Sequence, residues 1–443
     1  MTARHPLAAC LCLAALAACS QATHESIPVG IGSSPRLPAP EQSLLPTVNA
    51  AKAVGWESHE VPLAAEGFEV DAFARNLKHP RWLYVLPNGD VLVAETNAPD
   101  RPDDAKGIKG WIAGKVMARA GATVPSANRI TLLRDANGDG RAELQVTLID
   151  RLSSPFGMAL VGDRLYVANS DAIVAFPYRD GDLSIDAPGV TLAALPAGTI
   201  NHHWTKSLVA SADGRTLFVG VGSNSNIAEN GMDKETDRAA ILAVDVATGR
   251  SRVFASGLRN PVGMAWQPQT GALWTAVNER DELGNDLVPD YLTSVRDGDF
   301  FGWPYSYFGA NLDPRITPQR PDLVARARAP DYALGSHTAS LGLAFYDADG
   351  FPARYRGGAF IGQHGSWNRE PRSGYQVVFV PFAAGQPSGV MEPVLTGFLD
   401  DQGQARGRPV GVVVDATGAL LVADDVGNII WRLKATGGVL GPG

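Results

Sequence analysis

Cysteine is almost missing from this chain of 443 residues. Its only copies, Cys10, Cys12 and Cys19, lie at the very start. Everything after residue 19 therefore lacks disulfides and thiol nucleophiles, and burial must hold the fold, as a chain of this length allows. Positive charge is also scarce: 38 Lys and Arg against 46 Asp and Glu leave a net charge of −8. That excludes nucleic-acid binding by bulk charge. The apolar run from Pro6 to Ala15 is too short for a stable membrane span. Glycine and proline, by contrast, are abundant at 48 and 31 residues, and favour an all-β fold with many turns over a helical one.

The N-terminus reads as an address rather than a fold. A weakly cationic start, Met1 to His5, precedes the apolar run, which closes in Leu16-Ala17-Ala18-Cys19. Residues 1–19 are a secretory signal, and the last four resemble a lipobox whose Cys19 becomes the lipidated first residue. Ser20 matches outer-membrane sorting, so the expected location is the periplasmic side of the outer membrane, with a soluble periplasmic or secreted protein as the alternative. Residues 20–55, rich in Pro, Ser and Ala, read as a flexible tether. The domain proper is expected over 56–436, with a short tail at 437–443.

One pattern recurs through that domain. A strand that begins near Pro or a small residue is followed by an Asp/Asn/Gly turn and a second strand ending in Ala or Gly. Copies begin at Pro80, Pro155, Lys206, Pro261, Leu341 and Pro409. Their spacing of about 45 to 80 residues points to a β-propeller of six blades, each a four-stranded antiparallel sheet, with insertions on the binding face. The largest insertions are Asn97 to Ala127, Asn224 to Arg238, Glu279 to Gly335 and His364 to Gly374.

In a propeller, the residues just before each first strand converge on the central channel. Here they are Arg81, Ser153-Ser154, His203 with Lys206 nearby, Arg259-Asn260, His337-Thr338 and Arg406-Gly407-Arg408. So many cations at one axis require an anionic partner, either a small polyanionic ligand or Asp and Glu from neighbouring blades. Arginine's planar fork suits carboxylate or phosphate. His203, in the stretch Ile200 to Leu208, stands at the mouth of a strand–turn–strand unit, where a rigid scaffold can hold a base. Two acidic loops are candidate calcium sites. One runs from Asn278 to Asp286 and includes Arg280 and Asp281. The other has D-x-N-x-D-G spacing at Asp135, Asn137 and Asp139, with Glu143 beyond, but Val146 occupies the twelfth position where an EF-hand needs Glu.

At this point the chain resembles the glucose/sorbosone dehydrogenase family of six-bladed propellers. The carriers are Asn201 to Leu208, Gly257-Leu258-Arg259-Asn260-Pro261, Asn278 to Asp281, Asp299 to Pro304, Gln363 to Arg369 and Arg406-Gly407-Arg408. The segments Gln363 to Arg369 and Val288 to Tyr291 look more like the sorbosone branch. The resemblance implies pyrroloquinoline quinone (PQQ) and calcium as cofactors. It implies His203 as the base that takes a proton from a sugar hydroxyl or aldehyde hydrate during hydride transfer to the quinone. It also implies Arg259, Asn260, Arg406 and Arg408 as quinone contacts, Arg280 and Asp281 at the calcium, and a periplasmic cytochrome or quinone as electron acceptor. The chain departs from the glucose branch at Val262, at Leu152 and in the lysine-free segment His364 to Arg369. Lys206 and Arg369 are the candidates to supply the missing charge. Two other readings remain: a calcium-dependent lactonase or esterase propeller, and a non-catalytic ligand-binding propeller lipoprotein.

Overall fold

The structure, a computed structural model, describes residues 29–41, 47–104 and 114–437. The signal and lipobox lie outside the described residues. Among the described residues, no helix is long and apolar enough to cross a membrane.

Six sheets follow one another along the chain, each antiparallel and running from an inner strand outward. Blade 1 holds Pro80–Val85, Val91–Glu95, Arg129–Arg134 and Leu144–Ile149. The inner strands of blades 2 to 6 are Met158–Val161, Lys206–Ala210, Pro261–Trp266, Ser340–Phe345 and Pro409–Val414. Blade 6 takes its outermost strand from the start of the domain: Phe68–Ala74 pairs with Ile429–Ala435 and so ties the two chain ends together. The six-bladed fold expected from the repeats is what forms.

The repeat itself has a physical cause. Each inner strand is an edge strand on the axis, so a leading Pro, as at Pro80, Pro261 and Pro409, forfeits no ladder hydrogen bond. Glycine recurs just behind because inner strands of adjacent blades nearly touch. A Cβ on Gly157, Gly263, Gly342 or Gly411 would stand less than 3.0 Å from backbone of the next blade, at Leu208, Leu341, Val410 and Arg81 respectively. In blades 1, 4, 5 and 6 the register slips within the first few residues of the inner strand. Such bulges re-aim side chains next to sites.

Each blade sends one apolar side chain to the axis: Trp82, Phe156, Trp204, Val262, Leu341 and Val410. Together they plug the channel and form the floor of the face where the inner strands begin. Val262 belongs to this floor, which is why an apolar residue stands there.

The stretch expected as a tether is in part bound to the propeller. Ile31–Gly32 adds a fifth strand to blade 4, and Leu63–Ala64 adds one to blade 5. Between them Asn49 N donates to the Trp367 carbonyl at 2.7 Å, and Val54 N to the Ala405 carbonyl at 2.8 Å. Ala51 is fully buried. Trp56 packs edge-on against Phe398 and Trp431, and its indole N–H donates to Asp424 at 2.7 Å. A segment with this many bonds is a strap, not a free linker.

Candidate active site

The residues that open the inner strands stand above the apolar floor. Several non-glycine residues here hold left-handed backbone: His79, Ser154, Asn201 and His337, with φ of 54°, 45°, 36° and 60°. Left-handed non-glycine residues are uncommon and gather at functional sites.

His203 comes from the entry to blade 3. Its Nδ1 lies 2.8 Å from the Ser223 carbonyl and 3.1 Å from the Ser223 hydroxyl. A carbonyl only accepts, so Nδ1 carries the proton and Nε2 keeps its lone pair. Burial, then the Arg259 guanidinium and His202, push its pKa well below the ordinary imidazole value. His203 is therefore a neutral base with its free nitrogen on the side away from Ser223. The glycine at 222 is required here, because a Cβ would strike both His203 and the Asn260 amide oxygen. That amide oxygen is buried and has no hydrogen-bond partner. Beside His203, the ring of His202 packs edge-on at 4.7 Å. His202 Nδ1 lies 2.9 Å from Asp104, which also holds Arg101. The insertion after the second strand of blade 1 thus reaches across to blade 3.

Arg259 and Asp281 stand on the blade 4 side. The guanidinium donates to the Asn226 amide oxygen at 2.9 Å and lies 3.5 Å from the Asp281 carboxylate. Asp281 also meets His337 Nδ1 at 3.2 Å, while His337 Nε2 meets the Gly284 carbonyl at 2.9 Å. Both partners of His337 are acceptors, so both of its nitrogens donate, and the ring is an imidazolium. Burial opposes this, but Asp281 and the Gly284 carbonyl outweigh it and raise its pKa. Burial likewise opposes the Asp281 charge, yet His337 and Arg259 bring its pKa down to about 2.

A second cluster lies at blades 5, 6 and 1. Asp425 accepts from Arg81 at 2.6 Å and His364 Nε2 at 2.9 Å, with His79 Nε2 3.6 Å away. His364 Nδ1 faces the Arg408 guanidinium at 3.5 Å, so this imidazole must accept there and is neutral. Burial leads its pKa down to about 4. Arg408 donates to the Tyr375 hydroxyl at 2.8 Å. Asp424 accepts from the Arg408 main-chain N–H at 2.8 Å, but among the described residues no carboxylate pairs with the Arg408 guanidinium, and its buried Nε is without an acceptor. Behind Asp425, a cavity of about 490 Å³ is lined by Ala53, Leu77, His79, Val124 and Asn428. Its wall takes nothing from blades 2 to 5, so it lies apart from His203.

The structure corrects several sequence assignments. Lys206 is wholly buried, with its Nζ on the Trp204 carbonyl at 3.0 Å; burial, then Arg238, lowers its pKa well below that of a free amine. It does not face the channel. Arg369 is tied to the Asn285 carbonyl at 2.9 Å and to Asp286 at 2.8 Å, outside the channel group. Arg406 is paired with Glu60 of the strap at 3.0 Å. The Arg280 side chain is fully buried among Glu279, Asp313 and the Pro304 and Ser306 carbonyls, so it braces the loop, and only its main-chain carbonyl could serve a metal. The insertion from Glu279 to Gly335 contains two strands of blade 4, Pro289–Val295 and Tyr332–Ser336.

A calcium ion would find at this face the Asp281 carboxylate and the unpartnered Asn368 amide oxygen. The carboxylate is held by a guanidinium and an imidazolium, and the Asp281 carbonyl accepts from Arg315 at 2.8 Å. These oxygens alone do not form the cage of six to eight that calcium takes. The loop with Asp135, Asn137, Asp139 and Glu143 joins the third and fourth strands of blade 1, at the opposite face. Asp135, Asp139 and Glu143 do gather there, with ligand atoms within 4.8 Å of one another. However, Asp135 is already used by the Gly138 and Gly140 amides at 2.7 and 2.8 Å, and Glu143 by the Ala136 amide at 2.8 Å. This is how a tight turn is stabilised without metal.

Sequence reasoning passed over Asp425, His364 and Asp104 as site residues. Asp425 and His364 each follow the second strand of a repeat, so aligning that point across blades, as was done for the first strand, would have exposed them.

A neutral imidazole and the guanidiniums of Arg259, Arg81 and Arg408 thus gather at the mouth of the plugged channel. The chain belongs to the TrAA12-like family, whose model matches residues 126–291 and 317–436. It is 28% identical over 315 residues to the aldose sugar dehydrogenase YliI of Escherichia coli (strain K12), covering 66% of this chain and 77% of that protein. It is 24% identical over 436 residues to the pyrroloquinoline quinone-dependent pyranose dehydrogenase of Coprinopsis cinerea, covering 84% of this chain and 54% of that one. The fold is shared with the PQQ domain of the Coprinopsis cinerea pyranose dehydrogenase, at TM-score 0.66 and 21% identity over 87% of this chain and 100% of that one. It is also shared with the family AA12 enzyme of Trichoderma reesei, at TM-score 0.68 and 20% identity over 89% and 100%. The resemblance to the glucose/sorbosone dehydrogenase family read from the sequence holds, while its sorbosone branch is not singled out by these relatives.

Proposed function

We propose that this protein is a PQQ-dependent dehydrogenase that oxidises an aldose sugar or a sugar-derived aldehyde of the sorbosone type. The observation that carries the reading is His203: its Nδ1–H is pinned on the Ser223 carbonyl, and its Nε2 is left basic beside Arg259 and Asn260. The names of the relatives, an aldose sugar dehydrogenase and a PQQ-dependent pyranose dehydrogenase, support it.

The donor set suits PQQ, a planar tricarboxylate. Arg408 and Arg259 would hold its carboxylates, and the unpartnered Asn260 amide would meet its ring edge. When bound, the quinone supplies the two-electron acceptor. The chain's own part is to bind, orient and move one proton. His203 Nε2 takes the proton of the sugar hydroxyl or aldehyde hydrate as the C–H bond gives up its hydride. The buried guanidinium–carboxylate pair Arg259–Asp281 keeps the surroundings polar and fixed. Calcium enters this reading only as an ion completed by the ligand's own oxygens, and no step is derived through it. The reading extends to an anchor at Cys19, a periplasmic location and a soluble electron carrier; labelled palmitate incorporation, lost in Cys19→Ala, tests the anchor.

The test of the activity is dye reduction by the purified protein with added PQQ, across a panel of aldoses and aldehydes. Quinone-dependent turnover that disappears in His203→Ala, with PQQ still bound, is the expected result. Turnover unchanged in that variant removes His203 as the base.

A further inference from the structure

We infer that Arg81 is a ligand-binding residue of this channel, a second anion-holding guanidinium beside Arg408, kept in place by Asp425 and His364. The inference rests on the functional reading above only for the identity of the anion.

Position comes first. Arg81 opens blade 1, yet its guanidinium lies over the ring of Trp204 in blade 3, at 5.9 Å from the centroid. Trp204 belongs to the axial plug and follows His203 in the chain. The Arg81 side chain therefore lies across the channel floor, and 13% of it stays open. Charge comes second. Two guanidiniums, Arg81 and Arg408, share the neighbourhood of one carboxylate, Asp425. Of the two imidazoles between them, His364 is neutral by its hydrogen-bond partners, and His79, whose Nε2 makes no hydrogen bond, has its pKa lowered by burial. Among the side chains linked through Asp425 and His364, two guanidiniums stand against one carboxylate; the neighbouring Asp424 carboxylate is turned to the Arg408 main-chain N–H and the Trp56 and Trp431 indoles. Arg406 adds nothing to this group, because Glu60 answers its charge. Hydrogen bonding comes third. The Nε–H groups of both Arg81 and Arg408 are buried without an acceptor. Buried unpaired donors are costly and call for an explanation, and a bound carboxylate provides one.

Asp425 is the positioning residue. It grips Arg81 at 2.6 Å and fixes the tautomer of His364, which in turn presents a lone pair to Arg408. One carboxylate thereby aims both guanidiniums. The ligand class is a planar polycarboxylate, held by two forks on one edge.

The test is calorimetric titration of the full chain with two probes, PQQ and the redox-inert benzene-1,2,4-tricarboxylate. Arg81→Lys keeps a cation for Asp425 but loses the fork. The double variant Arg81→Gln with Asp425→Asn removes the Arg81–Asp425 pair together, so neither member is left without the other. Thermal melts confirm which variants are folded. Wild-type protein is expected to bind both probes, and each folded variant to bind them roughly ten- to a hundredfold more weakly. Wild-type affinity in the folded variants overturns the role of Arg81 and leaves the proposed activity standing. Binding of the tricarboxylate without PQQ, weakened in the variants, supports the cradle and removes the quinone reading. Failure of wild-type protein to bind either probe overturns both.

Discussion

Two trios of the same composition face each other across the channel: Arg259–Asp281–His337 on the blade 4 side, and Arg81–Asp425–His364 on the side of blades 1, 5 and 6. In each, one aspartate serves an arginine and a histidine. The histidines nevertheless differ in charge, and the difference lies in their second neighbours. His337 turns its other nitrogen to a carbonyl, which accepts, so the ring takes a proton. His364 turns its other nitrogen to the Arg408 guanidinium, which donates, so the ring gives its proton up. The outcome for a ligand is nonetheless alike. One side holds Arg259 and the His337 imidazolium against Asp281; the other holds Arg81 and Arg408 against Asp425. On each side two cationic groups face one aspartate, with a further carboxylate at the edge, Asp290 beside His337 and Asp424 at the Arg408 main chain, and His203 stands by as a neutral base. The sequence count of cations at the axis did not foresee this division, because it could not place their carboxylates.

The largest effect expected lies between the trios. Loss of the base in His203→Ala should cut turnover roughly 100- to 10,000-fold while quinone affinity stays. A fall in affinity with turnover intact would instead make His203 a binding residue. Next comes the contrast itself. Asp425 is almost wholly enclosed and Asp281 is partly open. Removing Asp425 should cost about 3–5 kcal/mol, because Arg81 is left buried and uncompensated. Asp281→Ala should cost less, about 1–3 kcal/mol, since Arg259 keeps its bonds to Asn226 and Asn278. Denaturant midpoints decide this, and equal losses break the comparison. A smaller effect concerns pH. The His203 pKa is lowered, so the base stays free as pH falls through 6.5 and is lost only at more acidic values. The acid limb of kcat/KM should therefore lie below pH 6.5; a limb at or above 6.5 would mean that burial and Arg259 do not act on this ring. The smallest effect is at Lys206, buried away from the channel: Lys206→Met should leave ligand affinity unchanged in the same titration.

The fold was readable in the sequence because its signal is steric. Pro at the head of an inner strand and Gly where adjacent blades touch are required by the geometry, so they recur in order around the ring. That His203, Arg259, Asn260 and Arg408 gather at the channel mouth was readable because they occupy equivalent points of those repeats. Lys206 and Arg369 were misplaced because spacing along a strand or loop does not state which way a side chain turns; Lys206 turns inward and Arg369 turns to Asp286. Arg406 was overcounted because its partner, Glu60, lies 346 residues earlier in a segment that reads as a tether. Asp425 was missed for the converse reason. A single aspartate after a strand looks like turn chemistry until Arg81, His79 and His364 are brought to it from two other blades.

The central claim is that the guanidiniums of Arg259 on one side and of Arg81 and Arg408 on the other hold one anionic quinone beside His203. Titration of the full chain with PQQ, followed by visible absorbance at low and high salt, tests it most directly. The account predicts saturation at one quinone per chain, with affinity falling as salt rises. Absence of saturable binding at low salt would contradict it.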